Sequence, residues 1–188
     1  IQGIDNLEKR ERKVITFPMA AVFMAMMIGI LTGLGSGYCI WGREPENTID
    51  LKAVEMPDWV QQDFLRKNIF SRPDVTRRQV KNIVIHYVGN PGTSAKATRN
   101  YFDGLADQDA QKEGISSSSH FVVGLDGEVI QSIPIDEVAY ANAPRNDDTL
   151  SIEVCHPDDT GKFNDASYES VVKLTAWLCK QLKLKSSD

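Results

Sequence analysis

The sequence predicts an α/β fold in which helices flank a mixed central β-sheet, preceded by one N-terminal transmembrane helix. Three observations support this: a long charge-free apolar stretch, an apolar β-branched run around His86, and an ordered series of patterns after that run. The series is strand, helix, hairpin, strand, helix, which is typical of a mixed sheet with helices packed on it. The chain of 188 residues is long enough for one such domain and a smaller additional segment.

The charge-free stretch runs from Val14 to Gly42 and is long enough to cross a bilayer. Basic residues precede it at four positions, whereas Arg43 alone follows it closely, so the positive-inside rule places the N-terminus in the cytoplasm. We therefore expect a cytoplasmic tail at 1–13 and an uncleaved, single-pass signal anchor at 14–42. The rival interpretation is a cleaved signal peptide, but no convincing cleavage site follows the apolar core.

The chain changes character after the apolar stretch. Residues 43–55 are polar and lack periodicity, which indicates a linker, and residues 56–188 form the predicted folded domain. Asp58 is placed to cap a short helix carrying four apolar residues, Trp59, Val60, Phe64 and Leu65. The first part of the domain is therefore expected to be helical.

Composition excludes two classes of protein. The formal net charge is −5 at pH 7, which argues against a nucleic-acid binder. The chain has three cysteines, too few for a disulfide framework. Cys155 and Cys179 lie in a predicted strand and helix and look like core residues.

The run Ile83–Val88 predicts a buried strand, ended by Gly89-Asn90-Pro91. It contains His86, and a polar ring in an apolar strand needs partners for its nitrogens. Either neighbouring backbone groups satisfy the ring or one nitrogen binds a metal. The strand alone leaves both interpretations open.

A helix and a hairpin follow. Ser94 can cap a helix that continues to Leu105. Asp126-Gly127 separates two β-type runs at 120–125 and 128–134. An Asp-Gly pair between alternating apolar residues is the strongest short-range signal for a hairpin.

The last strand and helix complete the series. Residues 149–155 alternate, so that Glu153 faces away from the apolar side of its strand. Asn164 or Asp165 caps the final helix, whose apolar residues recur with helical spacing.

The residues suited to hydrolytic chemistry are His86, His120, Glu153 and His156. Zinc hydrolysis needs about three protein ligands, an open position for water, and a carboxylate that transfers the proton of that water. Without a His-Glu-x-x-His helix, such a site would have to be assembled from distant strand ends. Glu153 could supply the carboxylate, although an exposed glutamate on a strand is the simpler interpretation.

Five segments in this order resemble the zinc-dependent N-acetylmuramoyl-L-alanine amidases, the family that includes phage lysozyme-type amidases and the peptidoglycan recognition proteins. The segments are Ile83-Val-Ile-His-Tyr87, Asn90-Pro-Gly-Thr93, Ser118-Ser-His-Phe-Val-Val-Gly-Leu-Asp-Gly-Glu128, Gln131-x-x-Pro134 and Ser151-Ile-Glu153. The resemblance extends from about Met56 to the end of the chain.

The resemblance implies a zinc hydrolase that acts on peptidoglycan and cuts the amide between N-acetylmuramic acid and L-alanine. His86 matches the first zinc ligand, and Glu153 matches the glutamate that serves as general base and acid. His120 matches a histidine at a strand start, where it supports the hairpin or borders the substrate groove. Asn90 and Asn142 are expected to line that groove and bind substrate.

Two departures from the family pattern qualify this expectation. Ala141 stands where many members carry a histidine. The second zinc histidine of the family, and its third ligand, a cysteine or aspartate, lie beyond the equivalent of the last helix. We expect the natural protein to continue past Asp188 into those ligands; a shortened relative that does not hold zinc in the usual way is the other interpretation.

The resemblance also leaves two functions open, since the same fold occurs in a non-catalytic peptidoglycan-binding module. Combined with a signal anchor, it implies a bacterial, Gram-positive surface protein with its domain outside the cell membrane.

Overall fold

The computed structural model describes residues 18–41, 49–77, 79–112 and 114–185. The chain divides after Asn47 into two compact units. The predicted cytoplasmic tail, residues 1–13, lies outside the described residues, as does most of the first half of the predicted linker.

The described residues of the first unit form the helix α1 (Met19–Trp41), within the predicted span 14–42. Its stretch Met19–Gly37 is long and apolar enough to cross a membrane by length and composition, and none of it is buried in the protein. The Thr32 hydroxyl donates to the Ile28 carbonyl at 2.8 Å, so this polar side chain is satisfied within the helix.

The second unit is a five-stranded sheet with two longer helices. In chain order the elements are β1 (Val60–Gln62), β2 (Asn82–Tyr87), α2 (Ala95–Gly104), β3 (Phe121–Val123), β4 (Val129–Gln131), β5 (Thr149–Val154) and α3 (Asp165–Leu182). The strands lie in the order β1-β4-β3-β5-β2. Only the hairpin β3–β4 is antiparallel, so the sheet is mixed and the predicted fold class is confirmed.

Each face of the sheet carries its own core because strand side chains alternate between faces. Phe121, Ile152 and Leu174 belong to the larger core, on the face that α3 covers. Val122 and Phe102 belong to the second core, on the face that α2 covers. The functional side chains lie on the α2 face.

Three predicted turn and cap signals act as expected. The Ser94 side chain accepts a hydrogen bond from Ala97 N and caps α2. Asn164, rather than Asp165, caps α3 by accepting from Ser167 N at 2.8 Å. Gly127 has φ of 81° at the hairpin turn, a conformation that glycine adopts without strain.

The helix predicted after Asp58 is wrong. Val60–Gln62 is a short strand in parallel register with β4, and Val60 is buried against Val129 and the core. A pattern this short has the same apolar spacing in a helix and in a strand, and pairing with β4 decides between them.

The predicted linker 43–55 extends too far, because the folded domain begins before residue 56. Leu51 lies in a short 3₁₀ helix and is 6% exposed, and Ile49 and Val54 pack against the same core. In the sequence these apolar residues are interspersed with polar ones, so the pattern alone does not assign them to the core.

The strand around His86 is also less buried than predicted. β2 pairs only with β5 and therefore lies at an edge of the described sheet. Ile85 and Tyr87 are 45% and 64% exposed. An apolar β-branched run predicts a strand, but it does not show which strands lie on either side of it.

Candidate active site

His86 and Glu153 lie side by side on adjacent parallel strands. They are register partners on β2 and β5, and Val122 of β3 is the next residue in the same row. Register partners in a parallel pair point to the same face of the sheet. Two residues that are 67 positions apart in the sequence are thus brought together on the α2 face.

Glu153 has the electrostatic properties of a proton-transfer residue. Burial raises its pKa from 4.5 to about 7, and the nearby His86 partly opposes that shift. A carboxyl with a pKa near neutrality exchanges protons readily at physiological pH, which suits a general base and acid.

A cleft of about 530 Å³ opens beside Glu153, between the end of β2 and the helix α2. Its volume is within the range of pockets that bind small ligands. The described residues that line it are Val88, Gly89, Asn90, Thr93, Ala97, Thr98, Tyr101, Phe102, Ser117 and Glu153. Asn90 and Glu153 therefore line the same cleft.

Thr93, Thr98, Tyr101 and Ser117 also line the cleft, and sequence reasoning did not single them out. The sequence contains one indication of this surface, because Tyr101 occupies an apolar-periodic position of α2. In the structure the side chain is 54% exposed. Only the packing of α2 on the sheet shows that this ring belongs to a groove.

Asn142 contacts His86 rather than lying apart from it in the groove. Its Oδ1 is 2.7 Å from Nε2 of His86. The Asn146 side chain holds this loop, since its Oδ1 accepts from Asn142 N at 2.6 Å and from Ala141 N at 3.1 Å. The structure thus brings His86, Glu153 and Asn142 together.

His120 is fully buried, away from the cleft. Its ring nitrogens lie 2.9 Å from Ser151 Oγ and 3.1 Å from the Glu137 carbonyl, and the Arg77 guanidinium contacts Nε2. Burial, together with the positive charge of Arg77, holds the pKa of His120 well below its usual range. These contacts favour the supporting role over contact with substrate.

His156 is also buried, and its ring contacts backbone carbonyl groups. Its two ring nitrogens lie 2.7 Å from the carbonyl oxygens of Asp158 and Val88. The ring therefore ties the turn after β5 to the end of β2.

The described residues meet the requirements of a zinc site only in part. His86 fits as one ligand, because its imidazole is half-buried and an oxygen acceptor holds its other nitrogen, as in metal-binding histidines generally. Within the described ranges, no group of three His, Cys, Asp or Glu residues is placed to hold a metal ion.

Comparisons with known proteins agree with this fold. The family model described as N-acetylmuramoyl-L-alanine amidase matches residues 76–188. The chain is 31% identical over 140 residues to N-acetylmuramoyl-L-alanine amidase CwlL of Bacillus licheniformis, a match that covers 68% of this chain and 38% of the relative. It is 28% identical over 145 residues to the amidase BlyA of Bacillus subtilis strain 168, covering 66% and 37%.

Among solved structures, the catalytic domain of XlyA superposes with a TM-score of 0.53 at 23% identity, covering 67% of this chain and 78% of that one. At this identity the likeness supports the fold alone.

The protein is thus a member of a class that combines a mixed sheet with a His–Glu pair beside a cleft. The chain belongs to the N-acetylmuramoyl-L-alanine amidase family, as its sequence motifs predicted. It spans about two fifths of the length of the curated relatives it matches.

Proposed function

We propose that this chain carries the amidase domain of a peptidoglycan hydrolase that cuts the bond between N-acetylmuramic acid and L-alanine. The observation that carries the proposal is the register pairing of His86 with Glu153 beside the cleft. Family membership and the names of the relatives, which are N-acetylmuramoyl-L-alanine amidases, support the choice of substrate bond.

In this proposal the cleft binds the stem peptide. Asn90, Thr93 and Ser117 offer amide and hydroxyl groups to its backbone, and Tyr101 offers an apolar surface. Glu153 accepts a proton from the attacking water and transfers it to the nitrogen of L-alanine as the amide bond breaks.

Zinc is the proposed cofactor, with His86 as one of its ligands. A zinc ion supplies Lewis acidity toward the scissile carbonyl and the attacking water. A catalytic site needs about three protein ligands, of which His86 is the one that the described residues supply.

The test is release of stem peptides from purified peptidoglycan by the full-length protein. We expect His86→Ala and Glu153→Gln each to lower turnover by about 10²–10⁴-fold, and a chelator to abolish it until zinc is restored. Glu169→Gln, an exposed change on α3, is the matched control and should retain wild-type turnover. Undiminished turnover by His86→Ala or Glu153→Gln would refute the assignment of the site.

A peptidoglycan-binding module without catalysis is the second candidate. In the part of the chain that the structure describes, no three residues are grouped to hold a metal, and this favours the second candidate. Saturable binding of muropeptides without turnover, in the presence of zinc and with the wild-type sequence, would establish this function and exclude the first.

We also propose that α1 is a signal anchor that holds the domain outside the cell membrane. Its length and apolar composition, and the basic residues before it, support this placement. The protein should remain in the membrane fraction after alkaline carbonate washing, and protease added to intact protoplasts should remove the domain. A soluble product lacking residues 19–41 would indicate a cleaved signal peptide instead.

A further inference from the structure

The contact between Asn142 and His86 determines which nitrogen of the imidazole ring is available to a ligand. A neutral imidazole has one N–H donor and one lone-pair acceptor, while an amide oxygen can only accept. Asn142 Oδ1 lies 2.7 Å from Nε2 of His86, a contact that a neutral ring can make as a hydrogen bond only by donating from Nε2. The lone pair is then on Nδ1, to which no hydrogen bond from the described residues is directed.

The loop that carries Asn142 is anchored on both sides of this residue. Before it, Tyr140 exchanges two hydrogen bonds with Ser118, of 3.0 and 2.9 Å. After it, Arg145 N donates to the Asn142 carbonyl at 2.7 Å, and Asn146 accepts from Asn142 N. The backbone that carries the Asn142 side chain is therefore held in place by the protein itself, as the support of a positioning group should be.

We propose that Asn142 is a positioning residue that fixes the Nε2–H tautomer of His86 and presents Nδ1 as the nitrogen that binds metal. Metal-binding histidines usually donate their second N–H to a fixed oxygen, which orients the ring and increases its basicity. Asn142 supplies that oxygen from a loop between β4 and β5, whereas sequence reasoning assigned it to substrate. The proposed tautomer rests on this hydrogen bond, and the role in metal binding rests on the proposed function.

The tautomer can be measured directly. In the full-length protein labelled selectively with ¹⁵N-histidine, freed of metal and held at pH 8, the His86 signals are those that disappear in a His86→Ala variant. We expect a long-range ¹H–¹⁵N spectrum to show His86 with a protonated Nε2 and an unprotonated Nδ1. A protonated Nδ1 would mean that Asn142 turns its NH₂ group to the ring, and would overturn the proposal.

Substitutions connect the tautomer to metal binding. Asn142→Ala should mix the two tautomers of His86 and weaken zinc affinity, measured with the metal alone, by about 10–100-fold. Asn142→Asp keeps an oxygen acceptor in place and should preserve both the tautomer and tight binding. Asn100→Ala, an exposed change on α2, should alter neither.

Two other outcomes would give Asn142 a different role. A mixed tautomer with unchanged zinc affinity in Asn142→Ala would overturn the metal-binding role while leaving the proposed hydrolysis intact. A raised KM with unchanged tautomer and zinc affinity would make Asn142 a substrate-binding group. Thermal unfolding of each variant shows whether it is folded, and Asn142→Asp keeps the test decisive should Asn142→Ala fail to fold.

Discussion

Glu153 lies beside His86 on the neighbouring parallel strand, in a position where burial dominates its electrostatics. The positive charge of a protonated His86 would stabilise the Glu153 carboxylate, yet the pKa of Glu153 is raised to about 7. The protein therefore holds a carboxyl that is costly to ionise at the place where the proposed reaction transfers a proton.

This arrangement makes the stability of the metal-free domain depend on Glu153. Its folded pKa of about 7 exceeds the unfolded value of 4.5, so the native state binds the proton more tightly. The stabilising contribution of the neutral carboxyl is complete below pH 4.5 and is lost as the pH rises toward about 7.

Glu153→Gln should therefore be about as stable as wild type at pH 4 and more stable at pH 8, by up to roughly 3 kcal/mol. The measurement is denaturant unfolding of both proteins across this pH range with a chelator present. The difference between the two curves isolates Glu153 from other titrating groups, including His120. A difference that did not change with pH would show that burial does not raise this pKa.

His120 should behave as a structural residue. His120→Ala removes a buried ring and its contacts with Ser151 and Glu137, and it leaves the buried Arg77 with fewer partners. We expect the free energy of unfolding to fall by roughly 2–4 kcal/mol. Muropeptide affinity per folded molecule, measured by titration calorimetry well below the melting temperature, should not change; a weaker affinity with unchanged stability would place His120 in the groove.

Tyr101 should contribute to substrate binding without contributing to stability. Its ring lines the cleft and is 54% exposed, so Tyr101→Ala creates little cavity in the core. Loss of its contact area should weaken muropeptide binding by about 1–2 kcal/mol, or roughly 5–30-fold, while the unfolding free energy changes by less than about 0.5 kcal/mol.

The matched control for Tyr101 is Tyr168→Ala. Tyr168 is 60% exposed on α3 and does not line the cleft. Both variants lose the same side chain from a helix surface, so equal losses of affinity would show that position in the cleft is not what matters.

Much of the fold and the central pair of the site could be predicted from local patterns. The Asp-Gly hairpin, the Ser94 cap and the alternation that turns Glu153 away from the apolar side depend on neighbours within a few residues, and such signals are present in the sequence itself. His86 could be singled out because it interrupts the apolar run of its strand, whereas Glu153 fits the alternation of its strand and took its role from the resemblance to the amidase family. Their pairing, however, is a register between distant strands.

The tertiary structure alone decided which residues contact each other and which are buried. Periodicity could not show that Asn142 contacts His86, that His120 is enclosed by Arg77 and Ser151, or that Tyr101 borders a cleft. Each depends on which surfaces meet when loops and helices pack on the sheet, and those contacts join residues far apart in the chain. The sequence by itself thus determined the elements and the reactive residue types; packing determined which of those residues share a site.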